Sequence, residues 1–221
     1  LENYVYFSYN NNNPQKLDKT IHDFMAFMDK PTASNIIINH LSVLAQAVPK
    51  VIVDALNAEM NNPNGMIMSL FNHPQQSDNR YMNILFALDK LTFYSESAVP
   101  ACRILFRLYQ ADQNKFRDSN SPYSSLLNAL CFINTCFPLP INKKVELLLN
   151  FLKKDSYHGA KLIIGILNKN AVFLPSQYGR IGQYHETGFS YAEYYHAIEQ
   201  IAKACLRYFI SVSDIESIIA F

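Results

Sequence analysis

The side chains with the greatest chemical reach in this chain gather between Tyr178 and Tyr195. His185-Glu186 opens like the zinc motif H-E-x-x-H, in which two imidazoles one helical turn apart share a metal. Position 189 is Phe, and His196 stands too far along to take its place. No metal site is expected there. Gly179-Arg180-Ile181-Gly182 has the G-x-x-G form of a clamp on a nucleic-acid backbone. That clamp belongs to a mixed α/β setting, which this chain lacks, so a glycine-relaxed inter-helix loop is expected. Tyr178, Tyr184, Tyr191, Tyr194 and Tyr195 with Arg180 form the richest aromatic and basic neighbourhood. Tyr and Arg are enriched at the energetic centres of protein interfaces, although tyrosines also serve as ordinary half-buried packing residues. These six are the candidate binding residues.

Elsewhere the reactive side chains have simpler roles. Asn120-Ser121-Pro122 with Ser124-Ser125 is rich in hydroxyls. A serine nucleophile needs a positioned base and an oxyanion hole, and no spacing supplies them. A helix cap with proline at the first helical position accounts for the cluster. Lys143, Lys144, Lys153 and Lys154 flank one helix and suit a solvated rim. Neither a catalytic residue nor a cofactor is expected, and no G-x-x-x-x-G-K-[ST] phosphate loop occurs.

Composition narrows the classes further. The 221 residues carry 19 Lys+Arg against 18 Asp+Glu, a net charge of +1. A nucleic-acid binder draws most of its affinity from phosphate neutralisation and shows a basic excess; here it is missing. Four cysteines (Cys102, Cys131, Cys136, Cys205) fall within expected helices, where thiols act as small apolar groups. They fit a reducing, cytoplasmic setting better than a disulfide scaffold. No apolar run approaches the roughly 20 residues of a bilayer span, and no signal peptide is visible. The start at Leu1-Glu2 suggests a fragment of a longer protein.

The elements that must carry these residues are helices. Leu17, Ile21, Phe24, Met25 and Met28 follow helical spacing, and Pro31 should end that first helix. Ser34 should cap a second running to Ala47, and Pro49 sits in the first turn of a third, to about Met60. Asn61 to Gly65 is a turn cluster, followed by a short helix from about Met66 to Phe71. Four amphipathic helices then follow: Asn79–Phe93, Ser97–Ala111, Ser121 to about Thr135, and Ile141–Lys153. In the first of them Met82, Leu85, Phe86 and Leu88 should face inward. Pro100 and Pro140 lie about 40 residues apart, and Ile104 and Leu108 map onto Val145 and Leu149. That rhythm is near the roughly 40–47 residues of two-helix HEAT-like repeats. A further apolar helix covers Gly159–Asn168. A long connection over residues 170–189 leads to a helix with a Ser190/Glu193 capping box, running to about Ile210. Ser213 with Glu216 repeats that device.

Within this run the motifs resemble the helical-repeat region of large bacterial P-loop NTPases of the STAND-like kind. Leu85-Phe86-Ala87-Leu88-Asp89-Lys90-Leu91-Thr92-Phe93 matches their L-L-x-A-L-E-x-L-A-W helix. Arg103 to Leu108, Asn120-Ser121-Pro122 with Ser125-Leu126, Phe137-Pro138-Leu139-Pro140, and Val145 to Leu152 follow in the family's order. The likeness covers about residues 40–170. Thr92-Phe93 replaces Ala-Trp and Asp89 replaces Glu, changes that keep core size and helix-surface charge. The resemblance implies a helical-repeat region of a defence or signalling protein and carries over no catalytic residue.

The expected molecule is all-α, a HEAT-like solenoid of antiparallel helix pairs. Its parts are an extended arm (1–14), a helical-repeat array (15–170), a long loop (171–189) and C-terminal helices packed on the array (190–221). Its expected role is non-catalytic recognition or scaffolding in a larger multidomain NTPase, with a protein or a neighbouring domain as partner. The alternative is a nucleic-acid-contacting helical-repeat module. No membrane contact is expected.

Overall fold

A computed structural model describes residues 19, 23, 31–62, 65–72, 79–112, 120–133, 137–168 and 190–211. All the regular structure among these residues is helical, with no strand. The helices are α1 (Pro31–Ala47), α2 (Pro49–Asn61), α3 (Met66–Asn72), α4 (Asn79–Leu91), α5 (Ala98–Ala111), α6 (Pro122–Leu130), α7 (Ile141–Lys154), α8 (Ser156–Leu167) and α9 (Tyr191–Ser211). Lys19 and Asp23, the two described positions of the first expected helix, are helical. The arm, the rest of that helix, the 171–189 loop and the Ser213/Glu216 device lie outside the described residues.

Punctuation residues set most of the helix ends. Pro49 opens α2 one residue after α1 stops, and Val48 between them is buried. The Val48 N–H still donates to the Leu44 carbonyl and its own carbonyl accepts from Ile52, so the corner leaves few backbone groups unmet. Glu59 Oε1 accepts from the first N–H of α3, on Met66, at 2.7 Å. Gly65 makes this fold-back possible, because a Cβ there would lie 2.6 Å from the Glu59 carbonyl oxygen. Ser121 caps α6 by accepting from the Ser124 N–H, while Ser124 Oγ accepts from the Ser121 N–H. That reciprocal box is the structural role of the serine cluster.

Three boundaries differ from the sequence expectation. Pro31 is the first residue of α1, which puts Ser34 inside the first turn instead of at the cap; proline is tolerated there because its N–H would be unpaired anyway. α6 ends at Leu130, several residues before Thr135. α8 begins at Ser156, before Gly159, because Asp155 ends α7 and caps α8 in the same residue. In α4 the buried face is Tyr81, Ile84, Leu85, Ala87, Leu88 and Leu91. Phe86, expected inside, is 43% exposed and Met82 is only partly buried.

The helices share one apolar core. α1 packs along α4, α2 on α5, α5 on α6, and α7 on both α8 and α9. Side-chain bridges give the register. Arg80 and Asn83 of α4 donate to Asn35 and Asn39 of α1, so these two helices run in the same direction. Arg107 of α5 donates to the Met60 carbonyl (2.7 Å) and to Asn61 Oδ1 (2.8 Å), covering the C-terminal carbonyls of α2. Phe106 of α5 stacks on Phe151 of α7 with centroids 4.2 Å apart, and Gln110 donates to Asp155. The separations across these bridges run from 44 to 47 residues. The α5–α7 bridge from Gln110 to Asp155 spans 45, four more than the offset of 41 read from the apolar pattern.

Candidate functional site

Pro138-Leu139-Pro140 turns the chain into α7. Phe137 anchors the turn by stacking on Phe93 at 4.5 Å, and Leu139 is buried. α9 lies against this end of α7, held by Ala197 and Ile201 in the core and by Tyr194, whose ring meets Phe132 edge-on at 6.2 Å. Between the two helices runs a groove of about 330 Å³. Pro140, Ile141, Asn142 and Val145 line one wall; Glu193, His196, Ala197 and Gln200 line the other. The four α9 positions recur at i, i+3, i+4 and i+7, one face of the helix.

Its floor is apolar and its rim carries amides, an imidazole and one carboxylate. Gln200 Nε2 donates to His196 Nε2 at 2.8 Å, which assigns the ring proton to Nδ1, facing Glu199 at 3.8 Å. Glu199 is also paired with Lys203. Their hydrogen bond and charge hold its carboxyl below the usual range. Lys143, beside the groove on α7, is tied to Glu146 at 2.7 Å.

Of the six candidate binding residues, Tyr178, Arg180 and Tyr184 lie outside the described residues, as do His185 and Glu186. Tyr191, Tyr194 and Tyr195 all belong to α9, but the helix separates them. Tyr194 faces the core. Tyr191 and Tyr195 are 73% and 67% exposed, and at about 100° per residue they point away from the groove. The structure therefore does not gather them around one pocket. Lys144 is a clear correction to the solvated rim: it is 1% exposed, and its Nζ donates to the Cys131 carbonyl at 2.8 Å. α7 accordingly presents Lys143, Lys153 and Lys154 to solvent, without a fourth cation between them.

A second polar cluster lies where α5, α6, α7 and α8 meet, and sequence reasoning passed over it. Asp155 accepts from the His158 N–H (3.0 Å), from His158 Nδ1 (2.9 Å) and from Gln110 Nε2 (2.8 Å). Burial pushes its carboxyl upward, but the hydrogen bonds from Gln110 and His158 outweigh that and the net shift is down. The carboxylate fixes Nδ1 as the protonated nitrogen of His158 and makes Nε2 the acceptor. Tyr109 stands edge-on to His158 at 4.8 Å and beside Tyr123 at 5.1 Å. Its hydroxyl is shut off from solvent with no hydrogen-bond partner. Burial, then the neighbouring Tyr123, Tyr157 and Asp155, push that hydroxyl far above the ordinary tyrosine range. A carboxylate-oriented imidazole is half of a general-base unit. The described contacts supply no hydroxyl or thiol to Nε2, and the rings pack directly on one another. The spacing D-x-x-H at a helix start was the available signal.

No family model matches the chain, and no curated protein or solved structure shows detectable similarity to it. Among the described residues no three His, Cys, Asp or Glu side chains are placed to share a metal ion. No described helix is long and apolar enough to cross a membrane.

Proposed function

We propose that this chain is a non-catalytic recognition and scaffolding region, a HEAT-like stack of helix pairs that takes a segment of a protein partner into the groove between α7 and α9. The groove itself carries the proposal. It combines an apolar floor with a few convergent polar groups, the composition of a site for a peptide side chain and its backbone. Glu193 favours a partner segment with a basic residue beside its apolar anchor.

The repeat architecture draws support from the cross-helix bridges. Equivalent helices meet side by side at separations of 44 to 47 residues, within the range of two-helix repeats. The start of α4 also meets the end of α5, where the Tyr81 hydroxyl donates to Asp112 Oδ2 at 2.9 Å, as in an antiparallel pair. The larger multidomain NTPase context rests on the motif resemblance through Leu85–Phe93 and the aromatic–proline joint at Phe137–Pro140.

The test is selection of peptides from a random display library on the 221-residue chain, followed by affinity measurement on wild type and on Asn142→Trp. Position 142 is exposed, so the fold tolerates the change while the indole occupies the groove mouth. Selected peptides should carry a basic residue and lose roughly ten-fold or more in affinity on the variant, the usual effect of blocking an anchor pocket. Peptides indifferent to the blocked groove would overturn the proposal. Affinity for single- or double-stranded nucleic acid that fell steeply with salt would favour the alternative class.

A further inference from the structure

His196 gives the groove between α7 and α9 a charge that depends on pH. With that ring neutral, Glu193 is the one formal charge among the eight residues lining the groove, and the preference for a basic partner rests on it. His196 stands three residues further along the same face of α9, a spacing that sets Cβ atoms about 5–6 Å apart. Histidine is the side-chain type that ordinarily changes charge between pH 5 and 8. Carboxylates and ammonium groups ordinarily hold theirs over that interval.

The hydrogen bonds around the ring show what a second proton changes. With Nδ1 carrying the ring proton, Nε2 accepts from Gln200 Nε2 at 2.8 Å. The added proton must go on Nε2, which sets two donors against each other. Gln200 then has to turn its amide oxygen to the ring, and Gln200 is itself part of the groove wall. On the other side of the ring, Nδ1 faces Glu199 at 3.8 Å, a carboxylate that favours the imidazolium. The hydrogen bond and charge of Lys203 hold the Glu199 carboxyl below the usual range, so it stays ionised throughout. α7 lines the groove with Ile141, Asn142 and Val145, none of them titratable. Its Lys143 is tied to Glu146, whose carboxyl that contact also holds low.

We propose that His196 makes partner binding pH-dependent: the neutral ring lets Glu193 draw in the basic residue of the partner segment, and the imidazolium cancels that attraction. The inference rests on the groove being the binding site and adds a control to it. Protonation takes the formal charge of the lining from one negative to zero, so affinity for a cationic segment falls as pH falls. By linkage, a bound cationic segment must in turn displace the proton.

The test uses a histidine-free peptide with one lysine or arginine, taken from the display selection and titrated calorimetrically onto the 221-residue chain. Affinity should be roughly three- to five-fold weaker at about pH 5.5 than at about pH 7.5, the range open to an exposed charge pair. Between those values binding should release protons, read as a heat that varies with the ionisation enthalpy of the buffer. Position 196 is exposed, so substitutions there leave the core intact. His196→Gln should bring the ratio of the two affinities to about one, and His196→Lys should bind weakly at both pH values. The same peptide with glutamine for its basic residue should lose the pH dependence. A wild-type ratio near one, or a ratio that survives His196→Gln, would overturn the role of His196 while the groove stands, because Asn142→Trp still blocks the peptide. A peptide indifferent to Asn142→Trp would remove the groove and this inference together.

Discussion

Lys144 shows how a single side chain can reverse its apparent role. Its neighbours in sequence, Lys143 and the Lys153/Lys154 pair, stand in water; Lys144 lies within the core with its ammonium on the Cys131 carbonyl at the end of α6. Lys144→Ala removes that donor and strands the carbonyl, and should cost about 2–4 kcal/mol of unfolding free energy by urea titration. Lys143→Ala loses only an exposed pair with Glu146 and should stay within about 0.5 kcal/mol of wild type. Cys102 is governed by the same interior. Burial pushes its thiol up to about 12, against a smaller opposing pull from Lys144. It should resist maleimide labelling in the native protein at neutral pH and react on unfolding, with labelled mass as the readout. Asp155 sets a pH dependence of opposite kind to a buried amine. Its folded carboxyl titrates below its unfolded value of about 3.9, so its stabilisation is present above that value and fades as pH falls through the folded one. Asp155→Ala should cost about 1–2 kcal/mol at pH 7, the worth of a lost N-cap with charged acceptors. The gap to wild type should narrow toward pH 3 in parallel urea titrations.

At the scale of elements, the corner between α7 and α8 depends on close backbone approach. A Cβ on Gly159 would lie 2.5 Å from Leu152 Cα, and backbone cannot step aside. Gly159→Ala should therefore destabilise by roughly 2 kcal/mol or more despite its better helix propensity. Gly165 offers a contrast within the same helix. Its added methyl would meet the Tyr123 hydroxyl and, at 2.8 Å, Leu127 Cδ2, both far ends of side chains rather than backbone. Gly165→Ala should fall within about 1 kcal/mol of wild type, because the propensity gain of about 1 kcal/mol offsets the displacement. Thermal unfolding of the two variants side by side would separate these cases. Helix existence at this scale followed from apolar periodicity and proline position: Pro49, Ser97, Pro122 and Pro140 all stand at or beside helix starts. Boundaries were harder, as Pro31 illustrates, since a proline fits both just past a helix end and in the first turn of a new helix. The inward face of α4 was partly misjudged because Phe86 is apolar enough to be expected inside, and only neighbouring helices decide which of several apolar positions they cover.

For the whole molecule, the charge balance was legible in composition and the all-helical character in apolar periodicity, while the surfaces were not. Tyr191, Tyr194 and Tyr195 are adjacent in sequence, yet one packs inward and two face solvent away from the α7–α9 groove. The groove draws on the Pro140 joint and on α9, more than 50 residues apart. A one-dimensional scan has no term for that meeting. The Asp155–His158 part of the second cluster was local and could have been read as D-x-x-H, but Tyr109 and Gln110 reach it from α5, 45 residues upstream. Amphipathic helices with proline and serine at their starts are written into the residue order of this chain, because periodicity and capping act within a few residues. Only the packing of helices against one another settles that a lysine is buried, that Tyr191 and Tyr195 are exposed and that a groove opens beside α7. Those outcomes depend on which helix faces meet, and packing chooses among faces that the apolar pattern leaves equivalent.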